Sequence, residues 1–310
     1  MHAVRFGENG VELVDVPAPA GDGLRVRIRA AGICGSDLHA LAEGGRSVRP
    51  GHELSGELDD GTPVAIEPLL SCGVCAFCTA GDYNLCRAPQ AAIFGVSRDG
   101  GMAEEIAVPA RCLVPLPRGV RVQDACLIEP LAVAVHGFRK IGLRGGQRVA
   151  VVGGGAIGLC AVAAARSAGA EVGLVARYEP QRAAGERLGA VPAQGEYDVV
   201  AECAGTESAA QVACALAKPG GVLLMPSIHW QGLALPGLEM LEKELRLQPS
   251  LTYGRHAAGR DIDGAAALLS AHPEIAAALI THRLPLTAAA DAFRIAADHR
   301  GGAIKVVLEP

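Results

Sequence analysis

The chain of 310 residues is predicted to be an α/β protein whose later part forms a parallel sheet covered by helices. Three observations support this. Short apolar segments alternate with alanine-rich segments after Pro130, a glycine-rich turn joins the first such pair, and aromatic residues make up only 3% of the chain. Buried strands that alternate with helices are typical of βαβ units, in which the strands are parallel. The length is enough for two domains.

Residues 1–110 have a different pattern. Short alternating segments such as LRVRIRAAG and AEEIAVPA predict β-strands, and glycine and proline separate them closely. The segment AIKVVLEP near residue 310 predicts one more strand that returns to this first domain. We therefore expect one domain from residues 1–132 and 280–310, and a second domain from residues 133–279.

The glycine-rich turn follows a predicted strand from Arg148 to Val152. It reads Gly153-Gly154-Gly155-Ala156-Ile157-Gly158, the pattern G-x-G-x-x-G, and opens a helix. In such a turn Gly153 permits the tight bend, Gly155 lets the backbone approach a pyrophosphate, and Gly158 allows close packing of helix and strand. The free N–H groups at the start of the helix would face the phosphates. A glycine turn can serve packing alone, but this context favours a dinucleotide site.

Arg177 occupies the position where an acidic residue commonly binds the adenosine ribose. It lies about 20 residues beyond the last glycine of the turn, just after the second predicted strand, Glu171 to Ala176. A carboxylate there repels a 2′-phosphate, whereas a guanidinium binds one. We therefore expect NADP in preference to NAD. The alternative is a solvated arginine beside an NAD site.

Four of the ten cysteines lie close together as C-x2-C-x2-C-x7-C. They are Cys72, Cys75, Cys78 and Cys86. Four thiolates at this spacing can surround a tetrahedral zinc in a closed structural site. An iron–sulfur cluster also takes four thiolates, and a nucleic-acid-binding zinc ribbon is a second alternative. Residues 68–90 contain a single basic residue, Arg87, so the segment is poorly suited to phosphates. We favour structural zinc.

A second set of metal-binding residue types is dispersed. It lies in GICGSDLH around Cys34, in GHE at His52 and Glu53, and in IEPL at Glu129. One cysteine, one histidine and carboxylates can give zinc three protein ligands and one open position. A single buried cysteine or histidine is more often a packed core residue, so spacing alone does not decide.

Together these segments resemble the zinc-containing branch of the medium-chain dehydrogenase/reductase family, which includes sorbitol, threonine and butanediol dehydrogenases. The resemblance rests on GICGSDLH, GHE, the four cysteines, EPLAVAVH and VVGGGAIG, and extends to GAIKVVLEP. It implies a GroES-like β-rich catalytic domain with a Rossmann domain inserted near its end. It also implies an oxidoreductase that transfers hydride between a secondary alcohol, of the polyol, diol, sugar or cyclitol type, and NAD(P).

The resemblance also implies roles for individual residues. Cys34 and His52 would bind a catalytic zinc, with either Glu53 or Glu129 as the remaining protein ligand. If Glu53 is the ligand, Glu129 would hold the zinc-bound water or a substrate hydroxyl. Asp37 would orient His52, and Ser36 and His39 match the proton relay of the family. The stretch between Gly189 and Tyr197 is shorter than in the family, which trims the Rossmann fold near its third strand.

The implied partners are a small alcohol or carbonyl substrate and a second copy of the chain, as a homodimer or homotetramer. The net charge of −5 argues against nucleic acid, and no segment predicts a signal peptide or membrane span, so we expect a cytoplasmic protein. A zinc-free reductase of the same superfamily predicts loss of the metal-binding residues. A zinc-stabilised binding protein with a vestigial pocket predicts erosion at Cys34, Ser36, His52 or the glycine triplet, and all of these are intact.

Overall fold

The computed structural model describes residues 1–8, 10–21 and 23–310, which form two compact units. The first unit consists of Met1–Glu129, Gly254–Ala276 and Ile280–Pro310, and the second of Pro130–Tyr253 and Ala277–Leu279. Compared with the predicted boundaries, residues 254–276 belong with the first unit instead of the second. Among the described residues, no helix has the length and apolar character needed to cross a membrane.

The first unit contributes short strands and two helices before residue 128. They are β1 (His2–Gly7), β2 (Gly10–Asp15), β3 (Leu24–Gly32), α1 (Gly35–Ala42), β4 (Glu53–Leu58), β5 (Pro63–Ile66), β6 (Leu69–Leu70), α2 (Ala76–Ala80), β7 (Ala92–Ile93), β8 (Glu105–Val108) and β9 (Leu113–Pro115). Single 3-10 turns occur at Tyr83–Leu85, Ala110–Cys112 and Ala125–Leu127.

Alternating strands and helices follow. They are α3 (Ile128–Ile141), β10 (Arg148–Val152), α4 (Ala156–Ser167), β11 (Glu171–Val175), α5 (Glu179–Arg187), β12 (Val191–Pro192), β13 (Tyr197–Glu202), α6 (Glu207–Leu216), β14 (Ala217–Met225), α7 (Gly237–Glu242) and β15 (Arg246–Pro249). The chain then forms β16 (Arg255–His256), β17 (Gly259–Arg260), α8 (Asp261–Ala271), α9 (Glu274–Leu279), β18 (Ile280–Pro285), α10 (Ala289–Ala297) and β19 (Lys305–Glu309), with 3-10 turns at Leu286–Ala288 and His299–Gly301.

The main sheet of the first unit has β3 near its centre. Within the described residues the strand order is β18-β19-β3-β4-β5-β9, and β8 also pairs with β3. The pairing is antiparallel except between β18 and β19. Gly32 at the end of β3 pairs with Glu53 on one side and with Val307 on the other. The sheet therefore places residues 32–34, 52–53 and 305–307 side by side.

The second unit is built around a six-stranded parallel sheet with the order β12-β11-β10-β13-β14-β15. All five adjacent pairs are parallel, and the strand order reverses between β10 and β13. This is the doubly wound Rossmann arrangement, which confirms the predicted fold class. The trimmed stretch between Gly189 and Tyr197 reduces the third strand, β12, to the two residues Val191–Pro192.

Candidate metal centres and dinucleotide site

Cys34 lies in the turn that joins β3 to α1. It is the N-cap of α1 and has an extended backbone, and its N–H donates a hydrogen bond to Asp37 Oδ2 at 3.1 Å. Asp37 is completely buried, which raises the pKa of its carboxyl group. Ser36 and His39 lie one turn apart on α1, and both are half-buried. The N-cap of α1 therefore carries the thiol, and the helix itself carries both predicted relay residues.

His52 immediately precedes β4 and is 7% exposed. Its Nδ1 lies 3.7 Å from Asp37 Oδ1, and within the described part of the chain neither atom has a hydrogen-bond partner. Burial by itself lowers the pKa of His52, but Asp37 and Cys34 together raise this pKa well above its ordinary value. A carboxylate beside Nδ1 leaves Nε2 for a metal, as in carboxylate–histidine–zinc arrangements.

Glu53 begins β4, and its side chain lies over Gly32 on the neighbouring strand. A Cβ atom at residue 32 would come within 2.1 Å of Glu53 Oε2, so the absence of a side chain there makes room for the carboxylate. Lys305, at the start of β19, places Nζ 2.6 Å from both carboxylate oxygens and also donates to Ile33 O at 3.0 Å. The Glu53 and Lys305 side chains are 1% and 2% exposed. The two residues form a buried ion pair.

Cys34, His52 and Glu53 form a group of ligand atoms that all lie within 4.8 Å of one another. Glu129 stands in the first turn of α3, is 8% exposed and contributes to the raised pKa of His52 through its charge. A sulfur, a nitrogen and an oxygen donor from the protein are the composition of a zinc site that keeps one position open. The donor set fits a zinc ion, and the Asp37 carboxylate beside Nδ1 leaves His52 Nε2 to bind it.

The four predicted cysteines come together around α2. The Sγ–Sγ distances are 3.8 Å between Cys72 and Cys78, 3.5 Å between Cys75 and Cys78, and 3.9 Å between Cys75 and Cys86. Four thiolates placed tetrahedrally at the usual zinc–sulfur bond length have sulfur atoms about 3.8 Å apart. The cluster therefore has the dimensions of a closed zinc site.

Backbone N–H groups around this cluster favour the ionised thiols that a metal requires. N–H groups of Val74 and Cys75 lower the pKa of Cys72 to about 6, and the N–H of Cys72 lowers the pKa of Cys86. Burial instead raises the pKa of Cys78 to about 11. Because metal binding needs all four sulfurs deprotonated, the already acidic thiols favour the first steps of metal capture.

A partly buried polar network attaches the four-cysteine segment to the rest of its unit. Tyr83, between the third and fourth cysteine, donates a hydrogen bond to Glu67, and Arg260 donates to the other oxygen of Glu67 at 2.8 Å. Arg260 also bonds to Asp263 and to the carbonyl groups of Arg111 and Leu113. These bonds account for the grouping of residues 254–276 with the first unit.

The glycine turn between β10 and α4 has the backbone that its sequence predicts. Gly153 has φ +110°, and a Cβ atom at Gly158 would lie 1.8 Å from Gly153 O. Gly155 is the N-cap of α4, and the space where its Cβ would stand is open to 4 Å. The fold thus requires Gly153 and Gly158 to be glycine. Gly155 leaves open space at the N-terminus of α4, next to Ala156 and Ile157. That open space fits a phosphate group.

Arg177 lies two residues beyond the end of β11 and is exposed. Arg182 on α5 donates from Nη1 to the carbonyl oxygens of Ala176 and Arg177 at 3.2 and 2.9 Å. The second arginine therefore fixes the backbone of the loop that carries the first. The geometry leaves the Arg177 side chain at the surface, at the carboxyl end of the sheet.

Sequence reasoning missed several buried charged residues, among them Lys305 and Glu202. Each of these two lies in an apolar strand, Lys305 in KVVLE and Glu202 in YDVVAE, and each is fully or almost fully buried. Buried lysine and glutamate are rare unless paired, so a charged residue within an apolar strand was the available signal. The sequence does not predict which residue forms the ion pair or hydrogen bonds with Lys305 or with Glu202.

The chain matches known proteins over its whole length. The family model for the alcohol dehydrogenase GroES-like domain matches residues 20–118. D-altritol 5-dehydrogenase of Agrobacterium fabrum is 32% identical over an alignment of 322 positions that covers 93% of each chain.

Two solved structures are also similar. Galactitol-1-phosphate dehydrogenase of Escherichia coli has a TM-score of 0.90 at 27% identity, over 100% of both chains. A structure described as a zinc-binding dehydrogenase of Sinorhizobium meliloti, bound to NADP, has a TM-score of 0.83 at 30% identity, over 100% of this chain and 99% of that chain.

Proposed function

Because the chain belongs to the zinc-containing medium-chain dehydrogenase/reductase family, we propose that it interconverts a secondary alcohol of a polyol or sugar and the matching carbonyl compound, with NADP as hydride carrier. The chain is an oxidoreductase of the alcohol dehydrogenase class, with zinc and a nicotinamide dinucleotide as its cofactors. The single observation that carries the proposal is the group formed by Cys34, His52 and Glu53 at the end of β3 and the start of β4. In this proposal the first unit is the catalytic domain and the second is the dinucleotide-binding domain.

The catalytic metal centre consists of Cys34, His52 and Glu53 in this proposal. The support is their mutual proximity and the position of Asp37, which orients the His52 ring. Zinc at this position supplies a Lewis acid that lowers the pKa of a substrate hydroxyl. Lys305 holds the Glu53 carboxylate by two short bonds. The second, structural zinc is assigned to the four cysteines, where the sulfur spacing supports it.

Glu129, Ser36 and His39 act on the substrate proton. Glu129 bears a carboxylate that acts on His52 electrostatically, and we assign it to accept a hydrogen bond from the substrate hydroxyl. Ser36 accepts the proton and His39 passes it to solvent, because the two residues are one turn apart on α1 and both are half-buried. Three groups thus bind and move one proton, and a bound nicotinamide dinucleotide would supply the hydride acceptor.

The substrate class follows from the polar donor set and from the relatives. A carboxylate among the zinc ligands makes the centre more polar than one with a second cysteine, which suits a substrate that carries several hydroxyl groups. D-altritol and galactitol 1-phosphate, in the names of two similar proteins, are polyols or their derivatives. NADP is favoured over NAD because Arg177 stands where a carboxylate would repel a 2′-phosphate.

We propose that the chain forms a homodimer through the free edge of the parallel sheet. β15 is the last strand of that sheet and has no neighbour on its outer side among the described residues. Four exposed leucines lie on or near it: Leu238 (70% exposed), Leu241 (74%), Leu247 (40%) and Leu251 (52%). An edge strand with an exposed apolar surface is a typical surface for pairing with a second chain.

The proposal is tested by turnover and metal content together. The zinc-loaded protein is mixed with NADP or NAD and a panel of polyols, polyol phosphates and simple alcohols, and reduced cofactor is followed by absorbance. We expect NADP-dependent turnover of at least one polyol-type substrate, and two zinc ions per chain. A chain that holds only one zinc and turns over none of the panel would indicate a vestigial pocket.

Two variants separate the roles of the carboxylates. Glu53→Gln should lose about one zinc per chain, since it removes a ligand, whereas Glu129→Gln should keep both zinc ions and lower kcat by roughly 10- to 100-fold, the effect of losing one proton-handling group. Exposed Glu43→Gln on the far end of α1 serves as the matched control and should behave as the wild type. The reverse pattern would make Glu129 the ligand.

A further inference from the structure

A partly buried group of three polar side chains lies at the carboxyl end of the parallel sheet in the second unit. Glu202 is the last residue of β13, and Ser227 and His229 follow the end of β14. The strand order reverses next to β13, and ligands of doubly wound sheets bind outside the carboxyl ends of strands at this reversal. The group therefore occupies the part of the fold where a dinucleotide binds.

The loop after Glu202 lies directly against the glycine turn. A Cβ atom at Gly153 would be 3.0 Å from both the N and the Cβ of Ala204. Arg177, at the end of β11, is on the side of the turn that takes the adenosine half of a dinucleotide. Because the two halves of a dinucleotide lie on opposite sides of the strand reversal, the nicotinamide half extends over the ends of β13 and β14.

The Glu202 carboxylate has four hydrogen-bond donors. Oε1 accepts from the N–H groups of Ala204 and Gly205 at 2.8 and 2.9 Å, and Oε2 accepts from the Ser227 hydroxyl and from His229 Nε2 at 2.9 Å. A carboxylate only accepts hydrogen bonds, so His229 carries a proton on Nε2. The contact fixes the ring orientation and, in the neutral ring, leaves Nδ1 as an acceptor.

His229 Nδ1 is buried, and among the described residues it has no hydrogen-bond partner. The His229 side chain is 8% exposed and the Glu202 side chain 1% exposed. Buried polar atoms without partners are uncommon, because each costs free energy that a missing ligand or water would recover. Here the unpartnered atom lies on a ring that a buried carboxylate holds rigidly.

We infer that His229 is a cofactor-binding residue whose Nδ1 accepts a hydrogen bond from the nicotinamide half of the dinucleotide, with Glu202 and Ser227 as positioning residues that hold the ring. The inference rests on the proposed function, since it assumes a nicotinamide dinucleotide in this unit. It adds to the glycine turn a side chain that selects the orientation of the nicotinamide end. The donors on that end are the carboxamide N–H and the ribose hydroxyls.

Two substitutions at residue 229 separate cofactor binding from a purely structural role. The Gln side chain of His229→Gln places an amide N–H near the position of Nε2, so it still donates to Glu202 but offers nothing at the position of Nδ1. The shorter Asn side chain of His229→Asn places its polar atoms near the position of Nδ1 and abandons Glu202. His299→Gln, at an exposed histidine, is the matched control.

The measurements are dissociation constants and melting temperatures of the full chain. NADPH and NADH are titrated by nicotinamide fluorescence, and the adenosine fragments 2′,5′-ADP and 5′-AMP by calorimetry. For His229→Gln we expect dissociation constants for the dinucleotides to rise roughly three- to tenfold, the effect of one hydrogen bond, with fragment binding and melting temperature unchanged. For His229→Asn we expect dinucleotide binding close to wild type and a lower melting temperature.

Either of two results would overturn the inference. If His229→Gln binds NADPH and NADH as tightly as the wild type, then Nδ1 has no role in binding and an ordered water is its partner. If dinucleotides and fragments weaken equally, His229 supports the loop and does not contact the nicotinamide end. If the wild-type chain binds none of the four compounds (NADPH, NADH, 2′,5′-ADP and 5′-AMP), the proposed function is refuted, and the inference with it.

Discussion

Replacing Lys305 with methionine tests how Glu53 is held at the proposed metal centre. Lys305 and Glu53 are 2% and 1% exposed, so solvent does not screen the pair, and both carboxylate oxygens lie 2.6 Å from Nζ. Removing one partner of a buried ion pair costs about 3–5 kcal/mol, because the other charge stays buried without compensation. In chelated, zinc-free protein we therefore expect Lys305→Met to lower the free energy of unfolding by about that amount.

Zinc should reduce this loss, since a cation beside Glu53 compensates the same charge. Unfolding in urea is followed by far-UV circular dichroism, with and without a chelator, while fluorescence of Trp230, the one tryptophan, reports the second unit as an internal control. The double variant Glu53→Gln/Lys305→Met should recover much of the lost stability because both charges are gone. A Lys305→Met protein as stable as the wild type under chelation would refute the argument.

Four further predictions concern single features. Arg177→Asp should raise the KM for NADP roughly 10- to 100-fold, the contribution of one charge-assisted hydrogen bond, with little change for NAD; equal changes for both cofactors would contradict the assignment. Gly32→Ala should displace the Glu53 carboxylate and lower zinc occupancy to about one ion per chain by mass spectrometry, whereas unchanged occupancy would show that Glu53 is no ligand. Cys75→Ser should remove the other zinc and make residues 70–90 sensitive to trypsin, and a resistant variant would show that the lobe does not need its metal. The double variant Leu238→Lys/Leu241→Lys should turn a dimer into a monomer in sedimentation velocity, and an unaffected dimer would place the interface elsewhere.

Much of the fold could be predicted from the sequence because its signals are local. The glycine turn needs only the steric demands of Gly153 and Gly158, and the four cysteines need only short loops to meet. The parallel sheet follows from alternating segments, each readable alone. The strand Leu24–Gly32 was visible as LRVRIRAAG, and its bounds in the structure are those of that segment.

Contacts between distant parts of the chain could not be predicted in the same way. Glu53 and Lys305 are 252 residues apart, and Glu67 and Arg260 are 193 residues apart. The local sequence around either residue of such a pair does not predict its partner, because the pairing depends on how distant strands align in the sheet. The same limit explains why residues 254–276 were expected in the second domain: the bonds of Arg260 that tie them to the first unit involve residues 67, 111 and 113.

The discontinuous first unit has a consequence for the order in which the protein is completed during synthesis. Most of the second unit is the contiguous stretch 130–253, to which residues 277–279 are added later, so it can begin to fold once that stretch has left the ribosome. The first unit cannot close its main sheet until β19 emerges, and Glu53 has no cation beside it until Lys305 arrives. The nascent first unit therefore waits, with Glu53 already made, for β19, whose Lys305 follows Glu53 by 252 residues.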